Sequence, residues 1–423
     1  MRILFFSHYF PPEVNAPASR TFEHCRLWAR AGHDVTVVTC APNHPRGEIY
    51  PGYKNRFFQL ETLDGVRVAR VWTFLAANEG FLLRILNYLS YMIFACFAAF
   101  RLERPDVVIS TSPQFFCGLT GLLVKVTLRA PWVLEIRDLW PESIVAVGAM
   151  RKGLAVKFLE WLEQLAYHRA DRIVSVTDSF VAHIAARGGA GKVAVIKNGV
   201  DLNFFKPTSE SEEFKKTLGF EGRFVAAYVG THGMAHSLDT VLDAAKLLLD
   251  DRRIGFLLVG DGAERVRLVA RAGAMNLDNL RIAGQLPKTE MPRVWLATDI
   301  SLILLKKDDL FKTVLPSKMF EAMVMERPIV LGVAGEARQL LEEAGAGIAI
   351  TPQSAEGLAA AVVKLVDDPE LAARIGHQGG AYVREHYDRA KLARTYLDLL
   401  ESVVGKSGAG SQETASVEEA SSR

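Results

Sequence analysis

The chain has 423 residues and a mass of 46.7 kDa, enough for two or three domains with sizeable cores. Its 49% hydrophobic and 23% charged residues exclude a mostly disordered chain, a collagen-like rod and a disulfide scaffold. With 50 Lys and Arg against 48 Asp and Glu, the net charge of +2 is too balanced for a dedicated nucleic-acid binder, so no nucleic acid is expected as a partner. Residues 1–200 hold 23 basic and 16 acidic side chains and the remainder 27 and 32, a split of +7 and −5. A basic first half fits an anionic ligand or an acidic membrane surface, and ordinary scatter accounts for it equally well. Cys25, Cys40, Cys96 and Cys117 lack CxxC spacing and mostly lie in apolar runs, which fits core thiols of a reducing cytosol better than metal ligands. The run Ile3–Phe6 is too short for the apolar region of a signal peptide.

Residues 2–7 form a short apolar run suited to a buried parallel strand, followed by a Pro-rich loop at 9–17 and helical periodicity from Ser19 to a stop at Gly32. Strands are expected at 34–39 (DVTVVT), 106–110 (DVVIS), 132–136 (WVLEI), 172–176 (RIVSV) and 192–196 (KVAVI), with helices between most of them. A second series follows, with strands at 224–229, 255–259, 280–283, 300–304, 329–331 and 347–350 and helices near 237–250, 263–275, 317–326 and 355–367. Strands alternating with helices predict two doubly wound α/β domains in tandem, 1–198 and 199–385, joined near 198–207. A helix at 386–404 is expected to pack back on the first domain, and the Ser/Gly/Ala/Glu-rich tail 405–423 to be disordered.

Residues 81–100 (FLLRILNYLSYMIFACFAAF) carry a single charge, Arg84. Arg84, Asn87 and Ser90 recur every three residues and share one helical face. Three readings stand: a helix lying in a membrane interface, a buried core helix, and a membrane span, the last of which would cross in mid-domain.

Several strand-end segments carry chemistry. The loop holding Glu13, Asn15 and Ala16, with Arg20 a turn into the next helix, places free N–H groups at the crevice where parallel sheets hold ligands; a plain connector is the rival reading. Gly230-Thr231-His232-Gly233 and Gly260-Asp261-Gly262 each follow a strand and allow close backbone approach to a phosphate, or are simple turns. In 312–321 (KTVLPSKMFE), Ser317 reads as an N-cap, and the N–H groups of 314, 315 and 317 surround the helix start. Lys318 there offers charge to a diphosphate and Glu321 an acceptor to a ribose diol, unless the two form a solvated pair. Residues 135–143 (EIRDLWPES) gather three carboxylates, Arg137 and Trp140 at a strand end, with an Arg137–Asp138 salt bridge as the alternative. DxD, HExxH, GxSxG and metal-like His/Cys clusters do not occur, so no metal or other cofactor is expected.

Taken together, FPPExxxxxxR (10–20), GHDVTVVT (32–39), RDLWPES (137–143), NGVD (198–201), YVG (228–230), VGDG (259–262), AGQL (283–286), PSKMFEAM (316–323) and RPIV (327–330) resemble glycosyltransferase family 4. Within it they look most like the branch of O-antigen N-acetyl-fucosamine transferases and colanic acid enzymes. The resemblance spans the chain to about residue 400. It implies the GT-B fold, two Rossmann-like domains facing across a cleft. It also implies a metal-independent retaining transfer from a nucleotide sugar, UDP-linked in that branch, to a lipid-linked glycan of a surface polysaccharide, on the cytoplasmic face of the inner membrane. Residue by residue, Glu321 matches the glutamate that holds the ribose, Val314 and Leu315 the backbone at the diphosphate, and Leu286 the backbone that reads the base. Gly230, Thr231, His232, Gly233 and Ser317 fall on the same donor side, and Glu13, Asn15, Ala16 and Arg20 on the acceptor side. Arg137 or Asp138 stands where relatives carry a catalytic histidine.

The chain departs from the pattern at Thr313, where the family has the first of two glutamates. It departs again at Thr231 and His236, where the family has Arg and Lys, at Asn15-Ala16 in place of a Gly-Gly loop, and at Glu326 in place of glycine. A diphosphate leaving group needs positive charge. Lys318 and Arg137 are the expected replacements, with His232 or Arg20 beside them. The alternatives are a degenerate GT-B protein that binds a nucleotide sugar or an assembly partner, and a nucleotide-sugar epimerase.

Overall fold

In the computed structural model the chain divides into two compact units, Met1–Lys197 with Ala390–Arg423, and Asn198–Arg389. The structure describes all residues except 14, 45, 77–80, 147, 149, 207–210 and 422–423, and all side chains except those and 81, 146, 211–213 and 407–421.

The first unit is built on an eight-stranded sheet in the order β3-β4-β2-β1-β5-β6-β7-β8. Its strands are β1 (Arg2–Phe6), β2 (Asp34–Cys40), β3 (Phe58–Leu63), β4 (Val66–Val71), β5 (Val107–Thr111), β6 (Trp132–Ile136), β7 (Arg172–Ser175) and β8 (Val193–Val195). All neighbours run parallel except β3 against β4. Its helices are α1 (Ala16–Arg30), α2 (Phe81–Ala99), α3 (Phe115–Leu128), α4 (Glu142–Ala146), α5 (Leu154–Arg169) and α6 (Ser179–Ile184). The β3–β4 hairpin was absent from the predicted strands. It turns on Asp64-Gly65, both at positive φ (48° and 84°), the Asp-Gly signature of a tight hairpin.

α2 corrects the buried-core reading. Only 33% of the window Leu82–Ala99 is buried, and by length and composition the helix could cross a membrane. Its polar positions face the protein: Asn87 Nδ2 donates to the Phe74 carbonyl at 2.6 Å and to Thr73 Oγ1 at 3.2 Å, and Ser90 Oγ accepts from the Phe74 N–H at 2.8 Å. Leu82, Leu86, Ile93 and Phe97 are turned outward. Periodicity shows which residues share a face but not which face is buried.

The second unit has a six-stranded parallel sheet, β11-β10-β9-β12-β13-β14. Its strands are β9 (Phe224–Val229), β10 (Ile254–Val259), β11 (Leu280–Ala283), β12 (Ile300–Leu304), β13 (Ile329–Gly332) and β14 (Gly347–Ala349). The helices are α7 (Ser211–Thr217), α8 (Asp239–Leu247), α9 (Arg265–Ala274), α10 (Met291–Leu296), α11 (Lys318–Val324), α12 (Glu336–Glu343), α13 (Ala355–Asp367) and α14 (Pro369–His386). α14 escaped the periodicity because its buried positions include Gly376, Gly379 and Gly380. A Cβ on Gly376 would lie 2.2 Å from the Glu326 carbonyl oxygen, so glycine is what lets α14 approach the end of α11. The start of α14 was legible, since Asp368 caps it by accepting from the Leu371 N–H at 2.9 Å and Pro369 occupies its first turn.

α15 (Arg389–Ser421) returns to the first unit, where Tyr396, Leu397, Leu400 and Val403 join its core with Phe5 and Trp28. The expected disorder of 405–423 falls mainly on residues from 407 onward, whose side chains lie outside those described. Trp28 is the tie. Its indole N–H donates to the Ala393 carbonyl at 2.9 Å, and its ring meets Tyr396 edge-on at 5.2 Å and Phe5 stacked at 6.3 Å. Trp28→Ala is expected to cost about 3–5 kcal/mol in urea unfolding and to expose α15 to proteolysis, with Trp28→Phe costing less because the ring volume is largely kept.

Candidate active site

In the second unit β9 and β10 run parallel in register, Val229 opposite Val259, so the loops 230–233 and 260–262 leave the sheet side by side. They interlock through the backbone. The Gly230 N–H donates to the Val259 carbonyl at 2.9 Å, the His232 N–H to the Asp261 carbonyl at 2.8 Å, and the Glu264 N–H to the His232 carbonyl at 2.9 Å. Gly260 and Gly262 have φ of +144° and +156°, and Cβ atoms there would come within 1.9 Å of Gly230 O and 2.6 Å of His232 O. The glycines are required by this close approach.

Lys318, the first residue of α11, reaches under this loop. A Cβ on Gly230 would lie 2.8 Å from its Nζ. The ammonium is shielded from solvent, makes no hydrogen bond, and sits 3.6 Å from the centroid of the Tyr228 ring. Tyr228 is held in turn by donating its hydroxyl to the Thr231 carbonyl at 2.8 Å. Burial lowers the Lys318 ammonium to about 7, against the opposing pull of Glu321. Burial, reinforced by Lys318, also holds His232 at about 4 and His236 at about 3, so both imidazoles beside Tyr228 are neutral at pH 7. Among the described residues no ion pair engages Lys318. The loop and the lysine bring glycine backbone and a charge of adjustable protonation together.

Glu321, one turn further along α11, accepts a hydrogen bond from the Trp295 indole at 3.2 Å. Burial raises its carboxyl above the usual range, partly offset by that bond and by Lys288 and Lys318. Trp295 was missed in the sequence. It lies fully buried on α10 in an apolar stretch with nothing to separate it from an ordinary core aromatic. Leu286 packs partly buried against the same core.

Three expectations on this side change. Ser317 occupies the N-cap position of α11 but caps with no side-chain hydrogen bond; Asn198 Nδ2 donates to its hydroxyl at 3.5 Å instead. The Val314 N–H is turned to the Phe311 carbonyl at 3.4 Å, which removes it from the set expected to face an anion. Thr313 Oγ1 donates to the Leu310 carbonyl at 2.6 Å, spending its hydroxyl within its own turn. Leu315 is buried.

In the first unit most of the expected acceptor-side residues are structural. Glu13 is buried, and its Oε1 accepts from the Asn43 and His44 N–H groups at 2.8 and 2.9 Å. Burial lifts its carboxyl to about 7 despite these bonds. Asn15 caps α1 by accepting from the Ala18 N–H at 2.9 Å, and Ala16 is the first helical residue. The Arg137–Asp138 bridge does not form. Arg137 pairs closely with Glu135, and Arg20 approaches the same carboxylate at 3.5 Å. Burial favours the neutral acid, but Arg137 and Arg20 outweigh it and hold Glu135 at about 2. Burial raises Asp138, with Ser143 and the Leu139 N–H opposing, and Glu142 pairs with His183 at 3.3 Å. The three carboxylates of that motif therefore serve three separate contacts.

Two variants test this geometry. Glu135→Ala leaves two buried guanidinium groups around an empty position and should cost about 3–5 kcal/mol of stability by chemical denaturation. Trp295→Phe removes the donor to Glu321 and, because a phenyl ring is smaller than an indole, part of the core volume. It is expected to cost about 1 kcal/mol in urea unfolding and to raise the Glu321 carboxyl further above the usual range, read by NMR titration.

Two family profiles cover the chain almost end to end. The glycosyl transferase 4-like domain matches residues 15–199, and glycosyl transferases group 1 matches 209–381. Among sequence relatives, a protein of Escherichia coli named for colanic acid biosynthesis glycosyl transfer, WcaI, is 25% identical over 86% of this chain and 91% of its own length. The glycosyltransferase WbjE of Pseudomonas aeruginosa is 27% identical over 63% of this chain and 67% of its own. Among solved structures, HepE of Anabaena in complex with UDP and glucose superposes with a TM-score of 0.71 at 18% identity, covering 95% of this chain and 100% of that one. The sucrose-phosphate synthase of Thermosynechococcus elongatus gives 0.75 at 17% identity, over 96% and 99%. The two parallel-sheet units, the interlocked glycine loops and these matches together make the chain a member of glycosyltransferase family 4 with the GT-B fold.

Proposed function

We propose that the chain transfers a sugar, an N-acetylated hexosamine or deoxyhexosamine, from a UDP-linked donor to a lipid-linked glycan during synthesis of a surface polysaccharide. The observation that carries this reading is the Lys318 ammonium, buried against Gly230 and Tyr228 with no hydrogen bond or ion pair among the described residues. A nucleoside diphosphate supplies a direct counter-charge. Lys318 and the loop Gly230–Gly233 hold the diphosphate, Glu321 takes the ribose hydroxyls with its free oxygen while Trp295 fixes the other, and the backbone at Leu286 meets the base. Transfer with retention places the acceptor hydroxyl on the same face as the departing diphosphate, whose oxygen takes its proton. The protein's task is then to stabilise the charge that develops on that leaving group. Lys318 performs it with its own charge, and on this reading no metal is required. Arg137, engaged by Glu135, acts in the first unit by holding the loop that carries Asp138.

The polysaccharide assignment is supported by relatives named for colanic acid and capsular polysaccharide biosynthesis, and the UDP assignment by structural neighbours solved with UDP and UDP-glucose. The outward apolar face of α2 supports peripheral attachment to the cytoplasmic face of the inner membrane.

A thermal-shift panel with UDP, GDP, ADP and dTDP tests the donor. UDP at a hundred times its dissociation constant should stabilise by about 2.7 kcal/mol, and Glu321→Ala should lose that shift. No shift with any nucleotide would favour the degenerate reading. Lys318→Ala should lower release of UDP from a UDP-sugar by about a hundredfold or more, with EDTA leaving the wild type unaffected. The free protein's Lys318 loses its proton above about pH 7, and the anion needs the charged form. UDP affinity should therefore weaken by up to about tenfold per unit from pH 7 to 9, a slope that Lys318→Met should abolish.

A further inference from the structure

With Glu13, Asn15 and Arg20 occupied structurally, the first unit needs another place to meet an acceptor. The C-terminal ends of β1 and β2 lead into one. His8 and Tyr9 follow β1, His44 follows β2, and α2 brings Arg84, Tyr88 and Tyr91 against them. The rings form a continuous chain. His8 meets Tyr91 at 4.9 Å, Tyr88 at 5.4 Å and Tyr9 at 5.2 Å, and Tyr9 meets His44 at 4.9 Å. Glu13 fixes the far end by binding the His44 N–H.

Arg84 closes this cluster. It is the one charged residue of the apolar segment 81–100, and it turns onto the Tyr88 ring, its guanidinium 5.9 Å from the centroid and one Nη 3.4 Å from the hydroxyl. Its charge reaches His44, where burial first and Arg84 second hold the imidazole at about 4. Burial keeps His8 at about 3, with Asn87 opposing and His44 assisting. Both imidazoles are neutral at pH 7, so Arg84 is the positive charge of the group, and among the described residues no carboxylate pairs with it. Leu82, Leu83 and Leu86 beside it on α2 are exposed. A guanidinium is thus set between an aromatic cluster and an outward hydrocarbon face.

We infer that Arg84, with Tyr88, Tyr9 and His44, binds the phosphate of a lipid-linked acceptor, its hydrocarbon lying along the outward face of α2 and its sugar against the aromatic chain. The inference rests on the lipid-linked acceptor proposed above. Phosphate oxygens suit a guanidinium, and sugar C–H faces suit neutral aromatic rings. The same chemistry is met by the phosphate of an ordinary lipid headgroup, and the test separates the two.

Full-length protein is sedimented with three vesicle types: phosphatidylcholine alone, phosphatidylcholine with geranylgeranyl diphosphate, and phosphatidylcholine with phosphatidylglycerol at matched surface charge. Wild type should bind the diphosphate vesicles about tenfold more tightly than the phosphatidylglycerol ones. Arg84→Gln should lose that increment while keeping its binding to the other two vesicles, its melting temperature and its UDP response in the second unit; Arg84→Lys should keep part of the increment. An increment unchanged in Arg84→Gln would overturn the assignment. Equal binding of wild type to the diphosphate and phosphatidylglycerol vesicles would overturn it too, as recognition of surface charge alone. Wild type that ignores both anionic vesicles would instead remove the lipid-linked acceptor on which it rests, while UDP binding would stand or fall separately.

Discussion

A buried ammonium that, among the described residues, has no direct ion pair organises the second unit. Desolvating Lys318 costs free energy, and the fold recovers only part of it from the Tyr228 ring and from Glu321 one turn away. Other features of the site follow from keeping that charge in place. The glycines at 230, 260 and 262 let two loops cross at backbone distance over it, and His232 and His236 stay neutral so that they add no competing charge. On the donor reading proposed above, an anion at this place stabilises the charged form of the lysine.

The first unit handles charge differently. Glu135 is flanked by Arg20 and Arg137, and its Oε1 meets both guanidinium groups and the Thr111 hydroxyl. That cluster lies beside the core to which α15 contributes Tyr396, whose hydroxyl titration is raised by burial and by Glu135. A buried group of this kind is costly to disrupt and contributes to a single well-defined arrangement of the strand ends around it. The contrast is between a charge-paired cluster in one unit and, among the described residues, a lysine without an ion pair in the other, and the proposed donor site rests on the second.

Much of the fold was legible. Alternation of short apolar runs with helical periodicity gave both parallel sheets, and two strand-glycine-helix transitions located the loops at 230 and 260. The missed pieces have specific reasons. The β3–β4 hairpin lacks long apolar runs, and its Asp64-Gly65 turn was the available signal. α14 hides behind glycines that serve its packing rather than its periodicity. Residue type and spacing singled out Lys318 and Glu321, which lie one turn apart on α11, but not the orientation of polar groups. Glu13 turns inward to the 43–44 backbone, and the polar stripe of α2 turns toward the protein, leaving leucines outside. Trp295 could not be found, since only its position opposite Glu321 distinguishes it from any core tryptophan.

The central claim concerns the protonation of one side chain. Carbon-13 labelling of lysine, with Lys318 assigned by its loss in Lys318→Met, allows its Cε resonance to be followed from pH 5 to 10 with and without UDP. The account predicts a midpoint near 7 in the free protein, and with UDP bound a lysine that stays protonated to at least pH 9. A Lys318 that titrates above 10 in the free protein, or one whose midpoint UDP leaves unmoved, would contradict it.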